Sequence, residues 1–155
     1  MIEISVISVG SVKEKYLQEL IADYKKRISK YAQIEIVELK DESNKVNENV
    51  VKEIEGERIL SSIKEGFYVV LLDIKGQMLD SVSLSKKIDE ISTYFSSKIA
   101  FVIGGSYGVS DAVKKRANFS LSFSKMTFPH QLAKGMLLEQ IYRSFKILAN
   151  ETYHK

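Results

Sequence analysis

An α/β domain built round a mostly parallel sheet is the fold class this sequence predicts, and three observations carry the prediction. Short apolar runs alternate with stretches whose apolar residues recur at helical spacing. One run, Phe67-Tyr68-Val69-Val70-Leu71-Leu72-Asp73, is continuously apolar before its acidic end, as a parallel strand covered on both faces should be. A chain of 155 residues, 45% of them hydrophobic, can bury one core and gives no sign of two, so a single domain over 1–155 is expected.

Ile2, Ile4, Val6 and Val9 suit a first strand, and Gly10 separates it from a helix with Leu17, Leu20, Ile21, Tyr24 and Ile28 on one face. Ile34 to Leu39 reads as a second strand, the polar Lys40–Asn49 as a mobile loop, and Val50 to Ile63 as a helix of less regular periodicity. The run from Phe67 to Asp73 should lie centrally in the sheet. Leu84, Ile88, Ile91 and Phe95 then mark an amphipathic helix, followed by a buried strand, Ile99 to Ile103. Phe119 to Phe123 alternates as a short strand. The last helix, from about Gln131 to Ala149, places Leu137, Ile141, Phe145 and Leu148 on one face.

With no cysteine, the chain can form no disulfide, cysteine-ligated zinc site or thiolate nucleophile, and the cytoplasm is the expected compartment. The opening MIEISVISVG carries Glu3 and no basic segment, so it reads as a buried strand and not as a secretion signal. No apolar run approaches a membrane span, and no membrane contact is expected. The net charge is +3, but it is unevenly placed: residues 111–155 hold 8 Lys and Arg against 3 Asp and Glu, together with both histidines, His130 and His154. Clustered positive charge attracts phosphate backbones, although a solvated basic face with no partner is the commoner case.

Ligands of open α/β sheets bind at the carboxyl ends of the strands. Three loops leave such ends: Leu72 to Gly76, Gly104 to Gly108, and Phe123 to His130. Gly104 and Gly105 suit either a tight turn or close approach of backbone to a ligand. They do not match G-x-G-x-x-G, because Ser106 takes the second glycine position, and no Gly-Lys-Ser/Thr ending follows, which disfavours dinucleotide and nucleoside-triphosphate sites. Ser110 or Asp111 can cap the next short helix. Pro129, the one proline, sets the entry to the last helix, and His130 beside it can orient a substrate, shuttle a proton or cap the helix. Glu139 and Arg143 are spaced for an ordinary helix-surface ion pair, while Arg143 also suits an RNA phosphate. Tyr153-His154-Lys155 would normally fray, yet offers a stacking ring, a titratable ring and a cation to an unpaired nucleotide.

The strings FVIGGSYG, LSFSKMTFPHQL, EQIYRSFKI and YHK, with ISVGSVKEKY near the start, resemble the ribosomal RNA large-subunit methyltransferase H family over essentially the whole chain. The resemblance implies a SPOUT-type α/β fold whose C-terminal segment passes through a loop as a deep trefoil knot, an arrangement that general connection rules do not lead one to expect. It implies an S-adenosylmethionine pocket in that knot, contacted by positions matching Leu72, Gly104 and the run Phe123, Ser124, Lys125, Met126, Thr127 and Phe128. It implies a homodimer in which the target base sits where the C-terminal segment of one subunit meets the cofactor of the other. The implied substrate is pseudouridine 1915 of 23S ribosomal RNA in the assembled ribosome, methylated at N3 by direct transfer with no metal.

On that reading Tyr142, Arg143, Tyr153, His154 and Lys155 position the RNA, and His130, Arg143 and His154 are the candidate catalytic residues. His130 and His154 are chemically able to accept the N3 proton, as is solvent, whereas Arg143 is not. Two rivals remain: a SPOUT methyltransferase acting on another RNA, such as transfer RNA, and a ribosome-binding factor that keeps the fold without turnover. The presence of all three loops and the terminal motif weighs against the second.

Overall fold

The computed structural model describes residues 1–42 and 47–155. Its elements are β1 (Ile2–Val9), α1 (Lys15–Ile28), β2 (Ala32–Leu39), α2 (Glu48–Ser62), β3 (Tyr68–Met78), α3 (Ser81–Tyr94), β4 (Lys98–Ile103), α4 (Asp111–Arg116), β5 (Phe119–Ser122) and α5 (His130–Leu148). The strands form one sheet in the order β2-β1-β4-β3-β5, and every pairing is parallel. The expected α/β architecture is therefore present.

Side chains alternate across a strand, so each strand feeds two cores. Ile4 and Val6 of β1, Val70 of β3 and Ile99, Phe101 and Ile103 of β4 pack on the side that carries α1, α3 and α5. Ile7, Val9, Val69, Leu71, Ala100 and Val102 face the other way, against Ile59 of α2 and Val113 of α4. The continuous apolar run in β3 is explained by this cover on both faces. The strand lies inside the sheet, one place from the β5 edge, and β4 takes the centre.

Several helix faces depart from the expected pattern at their ends. Phe95, placed by spacing on the buried face of α3, is the C-cap, with φ −121° and ψ −63°, and swings outward to pack against Tyr68. Leu148 closes α5 half-exposed; away from any helix end, Leu20 in the interior of α1 is similarly uncovered. At both ends of α2 the boundary shifts: Asn47 caps the helix by accepting from Asn49 N at 2.8 Å, so Asn49 and Glu48 belong to it, and Ile63 is already its C-cap. The remainder of the loop expected over Lys40–Asn49 includes residues 43–46, which lie outside the described residues.

The largest departure shapes the site. β3 does not stop at Asp73 but runs to Met78, pairing with β5 through Val70–Leu72 and again through Gln77–Met78, with the register broken between Leu72 and Gln77. The intervening residues bulge, as an interrupted ladder requires. Gly76 lies so close to β5 that a Cβ on it would stand 2.7 Å from the carbonyl carbon of Ser120 and 2.8 Å from its oxygen.

Candidate functional site

The loops that leave β3, β4 and β5 close round a cavity of about 410 Å³. Leu72, Asp73 and Ile74 come from the β3 bulge, Gly104 to Val109 from the turn after β4, and Phe123, Ser124, Met126, Thr127 and Phe128 from the segment after β5. His130 and Ala133, on the first turn of α5, complete that wall, with Lys52 and Lys114 also among the lining residues. Of the run Phe123 to Phe128, Lys125 alone is not a lining residue, and its side chain is exposed. The other cofactor candidates are gathered in one place.

The glycine turn is demanded mainly by its own geometry. Gly108 has φ +87°, a conformation that favours glycine, and its N–H donates to the Gly105 carbonyl at 3.0 Å. A Cβ on Gly104 would meet Val109 Cγ1 at 2.5 Å, and one on Gly105 would meet Glu55 Oε1 at 2.5 Å. The missing side chains thus face the turn and α2. Glu55 itself is buried; its Oε2 accepts from Glu42 N at 3.0 Å, and Oε1 has no partner among the described residues. Sequence reading missed Glu55, since a polar residue in a weakly periodic helix gives no signal of burial. Ser110 does cap α4, accepting from Val113 N at 3.4 Å.

His130 is the first helical residue of α5 and not its cap. Pro129 takes that place with no side-chain cap bond, and its carbonyl accepts from Ala133 N at 2.9 Å. His130 therefore faces the cavity wall without the capping role its position suggested.

A second cavity, of about 540 Å³, lies between α3 and α5 and shares Leu121 and Phe123 with the first. Asp80, Ser81, Glu139, Gln140 and His154 supply its polar lining. His154 reaches it because the chain after α5 turns back. Asn150 adopts φ +56°, its N–H donates to the Ile147 carbonyl at 3.0 Å, and Glu151 N donates to the Lys146 carbonyl at 2.9 Å. This double closure terminates the helix and reverses the chain, and asparagine tolerates the left-handed conformation better than most residues. Glu151 is then held by Lys146 Nζ at 2.8 Å and Tyr31 OH at 2.7 Å.

The terminal segment is consequently anchored, contrary to the expectation of fraying. Tyr153 stands edge-on to Tyr142 with ring centroids 4.9 Å apart, beneath the Arg143 guanidinium at 4.7 Å. Its hydroxyl donates to Glu139 Oε2 at 2.8 Å and lies 3.4 Å from the Tyr24 hydroxyl. Burial first, then the bonds to Tyr24 and Glu139, push the Tyr153 phenol well above its ordinary range, so it stays protonated. Arg143 donates from Nη2 to Glu139 Oε2 at 2.8 Å and from Nε at 3.1 Å, and places Nη1 3.0 Å from His154 Nδ1. The ion pair with Glu139 predicted from spacing is formed, and all three guanidinium nitrogens have partners. Tyr142 departs from its expected role facing RNA: only 8% exposed, it belongs to the core and supports Tyr153. Lys155 is exposed beyond this cluster.

Among the described residues no helix is long and apolar enough to cross a membrane. The chain matches the model of the family described as "Predicted SPOUT methyltransferase" over residues 2–154. It is 54% identical to the ribosomal RNA large subunit methyltransferase H of Clostridium botulinum (strain Alaska E43 / Type E3), covering 98% of this chain and 99% of that protein. The enzyme of the same name from Bacillus pumilus is 52% identical over the same shares. Among solved structures, the ribosomal RNA small subunit methyltransferase E of Neisseria gonorrhoeae bound to S-adenosyl methionine aligns with a TM-score of 0.54 at 13% identity, over 94% of this chain and 67% of that one. Legionella pneumophila Lpg2936, solved with the same cofactor, gives 0.53 at 12%, over 90% and 65%. At such identities the likeness is one of fold. The near-full-length matches carry the assignment: the chain belongs to the ribosomal RNA large subunit methyltransferase H family of SPOUT methyltransferases.

Proposed function

We propose that this ribosomal RNA methyltransferase binds S-adenosylmethionine in the 410 Å³ cavity and methylates N3 of pseudouridine 1915 of 23S ribosomal RNA in the assembled ribosome. The observation that carries the reading is the convergence of the three strand-end loops on one cavity, beside a second cavity into which the anchored terminal segment brings His154. The first cavity has a size ordinary for cofactors, and its lining combines apolar walls from Leu72, Ile103 and Phe128 with hydroxyls from Ser122, Ser124 and Thr127. Those chemistries fit an adenosine with a charged amino-acid arm. Lys52 and Lys114 supply cations for its carboxylate, and Asp73 an anion for its ammonium group.

When bound, S-adenosylmethionine supplies an electrophilic methyl group on a sulfonium. The chain's own residues hold the two reactants in attacking geometry, which is where most of the acceleration in such a transfer originates. Leu72, Gly104, Phe123, Ser124, Met126, Thr127 and Phe128 hold the cofactor, and Lys125, turned outward, contributes charge to the rim. Tyr153, His154 and Lys155 receive the base and its phosphates, with Tyr142 and Arg143 supporting them from behind. The same reading includes a homodimer, supported by the exposed Tyr16 and Leu20 on α1 and Leu132 on α5, helices that pack together. It also includes the C-terminal knot that the family resemblance implies, and action in the cytoplasm, where ribosomes are the substrate.

Mass spectrometry of nucleosides after incubation with whole ribosomes, separated subunits and free RNA tests this directly. The expected product is N3-methylpseudouridine in large-subunit RNA from whole ribosomes. A product in transfer RNA only, or none in any RNA with cofactor demonstrably bound, overturns it.

A further inference from the structure

Resting on the reading that the terminal segment meets the target base, we infer that His154 acts as a hydrogen-bond donor to an imide carbonyl of that base, with Glu139 as its positioning residue through Arg143. A guanidinium has no acceptor, so the 3.0 Å contact between Arg143 Nη1 and His154 Nδ1 requires Nδ1 to accept. In the neutral ring the hydrogen is then assigned to Nε2. A ring in that form has no free lone pair with which to take a proton from N3. It presents an N–H instead.

Glu139 enforces this arrangement. It fixes Arg143 from two nitrogens, takes the Tyr153 hydroxyl on the same oxygen, and accepts from Gln140 Nε2 at 2.8 Å on the other. Gln140 is held in turn by Ser81 of α3, whose hydroxyl donates to it at 2.7 Å. The charged groups facing His154 are thus Arg143 and Glu139 from α5 and Asp80 from the start of α3, with Tyr153 as a protonated phenol.

The chemistry of the target makes a donor useful. Loss of the N3 proton from a uracil-type base leaves an anion whose charge rests on the two flanking carbonyl oxygens. An N–H aimed at one of them, backed by a guanidinium, stabilises that charge as it develops. In the step so described, the N3–H bond breaks and the proton passes to solvent water or hydroxide. The freed N3 pair forms the bond to the methyl carbon, and the S–CH3 pair remains on sulfur as a neutral thioether. No protein base is needed.

Two measurements test this. In single-turnover methylation of ribosomes, His154→Gln, which keeps an N–H near the Nε2 position but cannot titrate, should retain kcat within about tenfold of the unaltered protein. His154→Ala should lose about a hundredfold, the usual loss of one such donor. Both variants and the unaltered protein should show rates that rise with pH with the same slope, set by the base. Nitrogen-15 NMR of the labelled histidine should report the Nε2–H form in the free protein and a mixture of forms in Glu139→Gln. His154→Gln as inactive as His154→Ala, or a Nδ1–H signal in the unaltered protein, overturns the inference. Absence of methylation by the unaltered protein, with these NMR signals intact, instead overturns the proposed function.

Discussion

Lys134 of α5 places its Nζ 2.8 Å from Glu38 Oε2 at the end of β2, with the lysine side chain 3% exposed and the carboxylate 40% exposed. The same oxygen accepts from Val12 N at 3.1 Å, so one carboxylate ties together β2, the segment after β1 and the helix that carries the terminal cluster. Removing one partner of a buried pair strands the other charge. Glu38→Ala should therefore destabilise the fold by roughly 2–3 kcal/mol, tempered by the water that already reaches the carboxylate. Lys134→Met, which removes the charge and keeps the volume, should cost less. Urea unfolding of both variants checks the order, and equal losses would show that the pair itself contributes little.

Gly76 admits no side chain without moving the β5 backbone. Gly76→Ala should lower stability by about 1–3 kcal/mol, the ordinary range for forced overpacking, and should weaken cofactor affinity as well because the displaced strand end feeds the cavity. Denaturant melts and calorimetry on one preparation separate the two effects.

The cavity assignment is best tested from α5. A Gly104 substitution would strike Val109 and distort the turn before it reached any ligand. Ala133 lines the cavity from a regular helix, so Ala133→Phe should fill it and weaken S-adenosylmethionine binding at least tenfold, about 1.4 kcal/mol, with the melting transition little changed. Unaltered calorimetric affinity in a folded variant would remove the cofactor from this cavity.

Deleting Tyr153–Lys155 should leave cofactor affinity intact and abolish ribosome methylation. Asn150 offers a subtler version. Its φ of +56° suits glycine and resists a β-branched residue, so Asn150→Val should impair turnover by misdirecting the segment while Asn150→Gly preserves it. Methylation assays on the pair decide whether the reversal of the chain matters or only its last side chains.

Acid should loosen the same segment. The Lys146 ammonium, and then the Tyr31 hydroxyl, hold the Glu151 carboxyl below the ordinary carboxylate range. A depressed folded-state value means that its contribution is complete above the ordinary range and is lost as pH falls through the folded value. Near-ultraviolet circular dichroism of the tyrosine cluster should change in that acid window, and Glu151→Gln should abolish this step.

The sheet and its order of elements were legible because parallel strands buried on both faces leave continuous apolar runs, as in β3 and β4. Phe95 misled because helical spacing continues on paper after the helix has ended. At the site, loops leaving strand ends could be located from glycine, proline and strand position alone, and they do meet. The bulge after Leu72 could not be foreseen, since it depends on a second pairing with β5 beyond Gly76. Nor could Glu55 or Lys134, whose burial is set by partners outside their own helices. The spacing of Glu139 and Arg143 disclosed an ion pair, but its connection to Tyr153 and His154 depends on the left-handed turn at Asn150, a residue whose type only permits that conformation.

The hydroxyls of Tyr24 and Tyr153 meet across 129 positions, and β1 lies between β2 and β4 in a sheet whose strands pair in parallel. The loops that form the first cavity, and Tyr24 and Tyr31 with the C-terminal cluster, must wait for distant stretches to find one another, and parallel pairing of this kind is slow because loop closure precedes the contacts that offset it. Refolding should therefore show the tyrosine cluster forming with the final phase. During synthesis the chain can build its helices early, but it acquires its chemistry late.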